Sequence, residues 1–162
     1  MILGCRVYAI AEKYNITQVT VHSIINNYFS YCKDLLLSGA VVNIVGLVSI
    51  VPDVILVEYN TTLAYECKGI ANKLGLPQHT VYVIVKEYLD SVREDILNGK
   101  SAELRGIVTL HPLYENGKLV KVHSAISLSI KKLIATSNTR IKSARVHTSK
   151  MLKSDISALS SI

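Results

Sequence analysis

The chain writes one stretch twice. Residues 18–46 recur at 78–106, and a shift of sixty positions aligns the copies without a gap through Ile10/Ile70, Ala11/Ala71, Lys13/Lys73, Gln18/Gln78, Val21/Val81, Ile24/Ile84, Tyr28/Tyr88, Leu37/Leu97, Gly39/Gly99, Gly46/Gly106 and Pro52/Pro112. Such a repeat constrains topology before composition does, because both copies must fold to the same unit. Two glycines that recur at one spacing imply a shared backbone path, since glycine serves where the chain turns through conformations other residues avoid. A unit of about sixty residues buries too little surface to be comfortably stable alone, so the two copies are expected to share one core. The 49% apolar content and the positive mean hydropathy suit a compact chain rather than a disordered one.

Each copy reads as a short helix, a longer helix and strands. In the first, residues 2–14 form the short helix and Thr17 is the expected N-cap of the next. Apolar residues at 21, 24, 25, 28, 32, 35 and 36 then make the stripe of an amphipathic helix that ends at Gly39. The β-branched runs 41–51 and 54–59, joined by Pro52-Asp53, predict two strands and a turn. The second copy repeats the plan with a helix over 63–74, Pro77 at the first helical position, the stripe 81, 84, 85, 88, 89, 92 and 96, and a strand over 102–114. Gly46 and Gly106 fall inside predicted strands, where glycine marks a bulge or a close backbone approach. Beyond Pro112 the copies diverge. Asn116-Gly117 predicts a hairpin between 107–114 and 119–123, residues 125–135 and 140–147 predict a second extended pair around Ser137-Asn138-Thr139, and residues 149–159 predict a closing helix. The expected division is thus 1–60 for the first unit and 61–162 for the second.

Charge is distributed unevenly. Residues 1–117 carry 9 Lys and Arg against 11 Asp and Glu, whereas residues 118–162 carry 9 against 1. A basic segment on a near-neutral body points to a polyanion or an acidic surface as partner. Cys5, Cys32 and Cys67 show neither a CxxC pair nor a histidine at metal-ligand spacing, so each is expected to pack as a small apolar side chain in a reducing compartment. No signal-peptide pattern opens the chain, and Asn43, Gly46, Pro52, Asp53 and Glu58 interrupt its most apolar stretch, so no membrane partner is expected.

Helix, turn, long amphipathic helix, Gly, strand, Gly, strand: the order resembles the HU and integration host factor family of bacterial DNA-bending proteins. The residues that carry it are Ile10-Ala11-Glu12-Lys13 with Ile16-Thr17, the spacing to Gly39, and the run from Val41 through Gly46 to Ile50. In the second copy they are Ile70-Ala71-Asn72-Lys73, Gly75-Leu76-Pro77, Gly99 and Leu104-Arg105-Gly106-Ile107-Val108-Thr109-Leu110. The family's Ile-Gly-Phe-Gly-Ser-Phe pattern lacks both aromatics and its second glycine here. Ala144 to Lys150, followed by Lys153, looks like the family's return strand and last helix. The resemblance implies an α+β fold, tandem HU-like units forming a single-chain pseudo-dimer with a helical base, an antiparallel sheet and one extended basic β-hairpin arm.

It also implies a non-enzymatic protein that binds duplex DNA through phosphate contacts, with Lys131, Lys132, Arg140, Lys142, Arg145, Lys150 and Lys153 as contact residues, working in the bacterial cytoplasm or nucleoid. The family's arm tip carries a proline that wedges between base pairs, whereas this tip reads Ser137-Asn138-Thr139-Arg140, so sharp kinking is not expected. HU-like folds also resemble components of tailed-phage virions. The same residues would then clasp neighbouring protein subunits in a ring or collar. No HExxH, P-loop or GxGxxG occurs, and the five histidines form no ligand or catalytic pattern, so no cofactor, metal, small-molecule substrate or reaction is assigned.

Overall fold

The helix stripes read from the sequence are the buried stripes of the structure, a computed structural model that describes residues 3–58, 61–136 and 139–160. In chain order its elements are α1 (Leu3–Tyr14), α2 (Gln18–Leu37), β1 (Val42–Ile44), β2 (Val48–Pro52), α3 (Leu63–Leu74), α4 (Gln78–Leu97), β3 (Ala102–Leu104), β4 (Val108–Glu115), β5 (Lys118–Ile126), α5 (Leu128–Thr136), β6 (Ala144–Thr148) and α6 (Lys150–Ser160). The protein is therefore mixed α+β, with six helices and two three-stranded antiparallel sheets among the described residues.

Local chemistry sets the helix ends. Thr17 caps α2 by accepting a hydrogen bond from the Thr20 amide, and Thr62 does the same for α3 from Tyr65. Pro77 stands one position earlier than expected, as the N-cap of α4 without a side-chain cap. Both long helices stop in the same Schellman arrangement. Gly39 at φ +93° donates to Leu36 while Ala40 donates to Leu35, and Gly99 at φ +84° donates to Ile96 while Lys100 donates to Asp95. Each glycine is then roofed by a side chain from further along its own copy: Leu56, after β2, packs over Gly39, and the hydroxyl of Tyr114, near the end of β4, sits over Gly99.

The buried set on α4 is Val81, Ile84, Val85, Tyr88, Leu89, Val92 and Ile96, the seven positions of the predicted stripe. On α2, Phe29 is buried in addition, and Leu35 is only half-buried. One contiguous cluster contains these residues from both copies, and Phe29 meets the rings of Tyr28 and Tyr88 edge-on at 5.1 and 5.9 Å. Each fully buried aliphatic side chain in it contributes about 1.5–3 kcal/mol. Cys32 and Cys67 are buried and unpaired by disulfide; they occupy the positions of Val92 and Val7 under the sixty-residue shift. The Cys5 side chain lies outside the described part.

The strands depart from the sequence reading in three ways. Residues 41–51 are not one strand but a tight hairpin, β1 and β2, with Gly46 in its turn at φ +79°; β3 and β4 repeat this with Gly106, also at +79°. The two glycines therefore allow a left-handed turn and mark no bulge. Residues 54–58 form no strand: Leu56 and Val57 donate to the Gly39 carbonyl, which fixes the segment as a coil over the α2 terminus.

The third departure is the largest. Residues 125–135 and 140–147 do not pair. Residues 128–136 are helix α5, β5 instead completes the β3-β4-β5 sheet, and β6 pairs with β2 of the first copy, from Val48 opposite Thr148 to Pro52 opposite Ala144. The expected basic β-arm does not form, and its tip at Ser137-Asn138 lies outside the described residues. Apolar spacing decides against the strand, since Ile130, Leu133 and Ile134 place one face of a helix on the core and leave Lys131 and Lys132 outside.

A second repeat, of 22 residues, explains why the end of the chain can serve the first copy. Ser127 donates its amide to Ile107 at 2.8 Å and caps α5 through the Ile130 amide; Ser149 donates to Leu47 at 2.9 Å and caps α6 through the Leu152 amide. Leu47 and Ile107 are equivalent under the shift of sixty, and Ile130 and Leu152, three residues past each serine, are both fully buried. A strand, a serine and a capped helix thus close each sheet. The closing unit of the first copy arrives from residues 139–160.

Candidate nucleic-acid or partner interface

Two anchors bring that closing unit back. The Thr139 hydroxyl donates to the Leu37 carbonyl at 2.7 Å, and the amides of Lys142 and Ser143 donate to Asp53 Oδ1 at 2.9 and 3.3 Å. These backbone donors, Lys142 foremost, hold the Asp53 carboxyl below its ordinary value because they stabilise its charged form. Asp53 therefore clamps the returning chain to the end of β2, a role no local turn pattern could reveal.

The seven cations named from the sequence are distributed over this architecture and do not line one hairpin. Lys131 and Lys132 are exposed on α5, Arg140 and Lys142 on the returning segment, Arg145 on β6, and Lys150 and Lys153 on the first turns of α6. Among the described residues none of these seven side chains makes an ion pair. Under the shift of 22, Lys131 and Lys153 hold the same place, four residues after the capping serines. The basic character therefore sits at matching positions of both closing units.

Strand alternation sets Arg145, one of those seven, among further polar groups that sequence reasoning passed over. Arg145 and His147 point out beside Val51 and Ser49, and on the other sheet His111 faces His123 while Lys121 faces Leu113. Asn43 on β1 accepts from Ser49 at 2.7 Å, and His111 meets Ser101 at 2.9 Å. The outer faces of the two sheets thus carry Arg145, Lys121, His111, His123 and His147, with Glu103 on β3 and Glu115 at the end of β4 as acids among the described residues. Register rather than composition selects this set, and the period-two patterns of β4, β5 and β6 were the signal available for it.

The hairpin of β4 and β5 outreaches β2 and β6, with a register irregularity between Leu113 and Tyr114. Its end carries Glu115 and Lys118 together with exposed Leu113, Tyr114 and Val120, while Leu119 and Val122 are buried. Its turn carries one acid and one base, and the exposed apolar side chains flank that turn. Opposite charge joins α4 to α6 near the base, where Arg93 lies 3.6 Å from Asp155 and 3.8 Å from Asp90.

No three His, Cys, Asp or Glu side chains converge as a metal site among the described residues, and no described helix is long and apolar enough to cross a membrane. Burial pushes the Cys67 thiol up to about 12, with the neighbouring Glu66 charge adding to it, and raises Cys32 further still. Neither the scan against protein-family models nor the search of curated protein sequences gives a match for this chain.

Proposed function

We propose that this protein is a non-enzymatic, HU-like architectural protein, a single-chain pseudo-dimer that binds duplex DNA with little sequence preference. The observation that carries the reading is the matching placement of unpaired cations on two equivalent closing units, Lys131 on α5 and Lys153 on α6, flanking sheet faces that add Arg145 and Lys121. Cations fixed on both halves of a two-sheet surface suit the phosphates of a duplex, and side chains that neutralise phosphates give affinity without base readout. Lys132, Arg140, Lys142 and Lys150 are exposed on the same two closing units. The β4-β5 extension lacks an intercalating proline at Asn116-Gly117, so the protein would follow the duplex without a sharp kink.

The test is a titration of duplex DNA of mixed sequence at several salt concentrations. Binding should weaken with a slope of about −0.9 in log K against log salt for each phosphate neutralised. Lys131→Glu combined with Lys153→Glu should reduce both affinity and slope. No binding at low salt overturns the reading.

One observation favours a second reading. The apolar end of the β4-β5 hairpin, with Leu113 at 37%, Tyr114 at 53% and Val120 at 39% exposure, suits contact with a neighbouring protein subunit, as in a virion ring or collar. Native mass spectrometry of the purified chain separates the two: a closed ring without nucleic acid favours assembly.

A further inference from the structure

The sixty-residue shift relates two clefts at the helical base, one between α1 and α4 and the other between α2 and α3. The first keeps a cavity of about 440 Å³, but its buried charge is paired within the chain. Arg6, 7% exposed, donates from Nη1 to Ser91 at 2.7 Å, pairs through Nη2 with Asp95 at 2.8 Å, and lies 5.4 Å from the centre of the Tyr88 ring. The guanidinium is thus bound by a carboxylate, a hydroxyl and an aromatic face.

In the second cleft the equivalent of Arg6 is Glu66, and the equivalents of Asp95 and Ser91 are Leu35 and Tyr31. Glu66 is 8% exposed, and no described residue donates a hydrogen bond to its carboxylate or pairs with it. It faces a cavity of about 480 Å³ also lined by Asn27, Ser30, Asp34, Lys68 and Lys73. A carboxylate buried without a partner is costly, so such groups are paired, coordinate an ion or give up their charge. Here the first solution is absent from the chain and the room for a partner is present.

We propose that the cleft between α2 and α3 binds a guanidinium group on a flexible alkyl stem, seated against the Glu66 carboxylate as Arg6 is seated in the related cleft. Asp34 adds a second negative charge on α2, and Asn27 and Ser30 offer oxygen acceptors. Lys68 and Lys73 on α3 are exposed at the rim, which disfavours a ligand cationic at both ends and favours one with a single charged head. Desolvation holds the empty-site Glu66 carboxyl up at about 7, so it ionises when the cation enters and releases a proton. Binding accordingly strengthens as pH rises through that value. Tyr31 and Tyr65 flank the cleft, and Tyr28, Cys32 and Cys67 behind it stay protonated throughout, since burial raises Tyr28 and both thiols far above neutrality. The guanidinium could belong to a free small molecule or to an arginine side chain of a second copy.

Isothermal titration of the full chain with butylguanidine at pH 8, in a buffer free of amines, tests the site, with butanol as the uncharged control. Saturable butylguanidine binding is expected, weakened at least about tenfold by Glu66→Gln, in keeping with the loss of one charge-assisted hydrogen-bonded pair. The double variant Leu35→Asp with Glu66→Arg rebuilds the internal pair of the other cleft. It should fold and bind no butylguanidine, which keeps the proposal falsifiable if Glu66→Gln alone is unstable. Sedimentation distinguishes the source: self-association that butylguanidine reverses and Glu66→Gln abolishes assigns the guanidinium to a second copy, whereas a monomer that binds butylguanidine assigns it to a small molecule. A wild-type chain that neither binds butylguanidine nor self-associates through Glu66, or equal binding by wild type and both variants, overturns the proposal.

Discussion

Replacing Glu66 by glutamine should leave stability unchanged in acid and raise it in base. Burial lifts the carboxyl from its ordinary value near 4.5 to about 7. Because the folded value lies above the unfolded one, the contribution of Glu66 to stability is fully present below about 4.5 and is lost as pH rises through 7. At about 1.4 kcal/mol per unit, a displacement of this size amounts to about 3 kcal/mol, and water entering the cleft reduces it. Glutamine keeps the shape and has no charge to desolvate. Urea unfolding of both proteins at half-unit steps from pH 4 to 8 should give curves that coincide at the acid end and separate progressively above pH 5, with the variant more stable by about 2–3 kcal/mol at pH 8. Phosphate buffer is preferable to any amine buffer, because an amine could occupy the cleft. A difference that stays flat with pH refutes the argument, since Glu66 would then ionise in the folded protein as readily as in the unfolded chain.

Gly39→Ala and Gly106→Ala test backbone strain with and without crowding. Both positions have positive φ, which costs an alanine about 1–2 kcal/mol. A Cβ at Gly39 would also lie 2.7 Å from Leu56 Cβ, whereas one at Gly106 meets nothing within 4 Å. Gly39→Ala should therefore be the worse by a further ~1–3 kcal/mol in urea unfolding. Leu152→Ala, at the fully buried anchor of α6, should cost about 2–5 kcal/mol. A chain ending at residue 136 leaves β2 without its β6 partner, and it should aggregate or unfold by circular dichroism and regain order when a peptide of residues 139–162 is added. Cys32 and Cys67 should react with an aromatic disulfide reagent only at the rate of unfolding, because both thiols are buried and held protonated.

The helical half of the fold was legible because it rests on a strong local signal. A stripe repeating at 3.6 residues, ended by a glycine that must take positive φ, specifies both the face and the length of α2 and α4. Strand boundaries were harder to read. Residues 41–51 are so largely apolar and β-branched that little in the composition separates one long strand from two short ones about a tight turn, and in 102–114 the polar Glu103 and Arg105 alternate with Leu104 as they would in a continuous strand. The glycines carried that information, but Gly46 and Gly106 fit a bulge as well as a turn until their φ of +79° is known. Residues 128–136 failed for a related reason. Their lysines are consecutive, and Leu-Ser-Ile alternates for three residues before Leu133-Ile134 shifts the pattern to a helical one, so a short window supports either period.

The candidate interface depended on a non-local fact that no window contains. Whether residues 144–160 serve the second copy or the first is decided by two capping serines and one aspartate. Ser149 presents its amide to Leu47 as Ser127 presents its own to Ile107, and Asp53 binds the Lys142 and Ser143 amides where the chain enters β6 alongside β2. Once that pairing is made, the basic C-terminal segment ceases to be an appendage. Its Arg145 becomes part of a sheet face and its Lys153 becomes the counterpart of Lys131, so the charge of the final 45 residues is shared between both halves of the molecule. A single arm would grip a partner at one point and allow it to swivel. Under the proposed reading, matching cations on two capped helices set a spacing as well as an attraction, so the partner would present its negative groups at a corresponding separation, as a regular phosphate backbone does along its whole length.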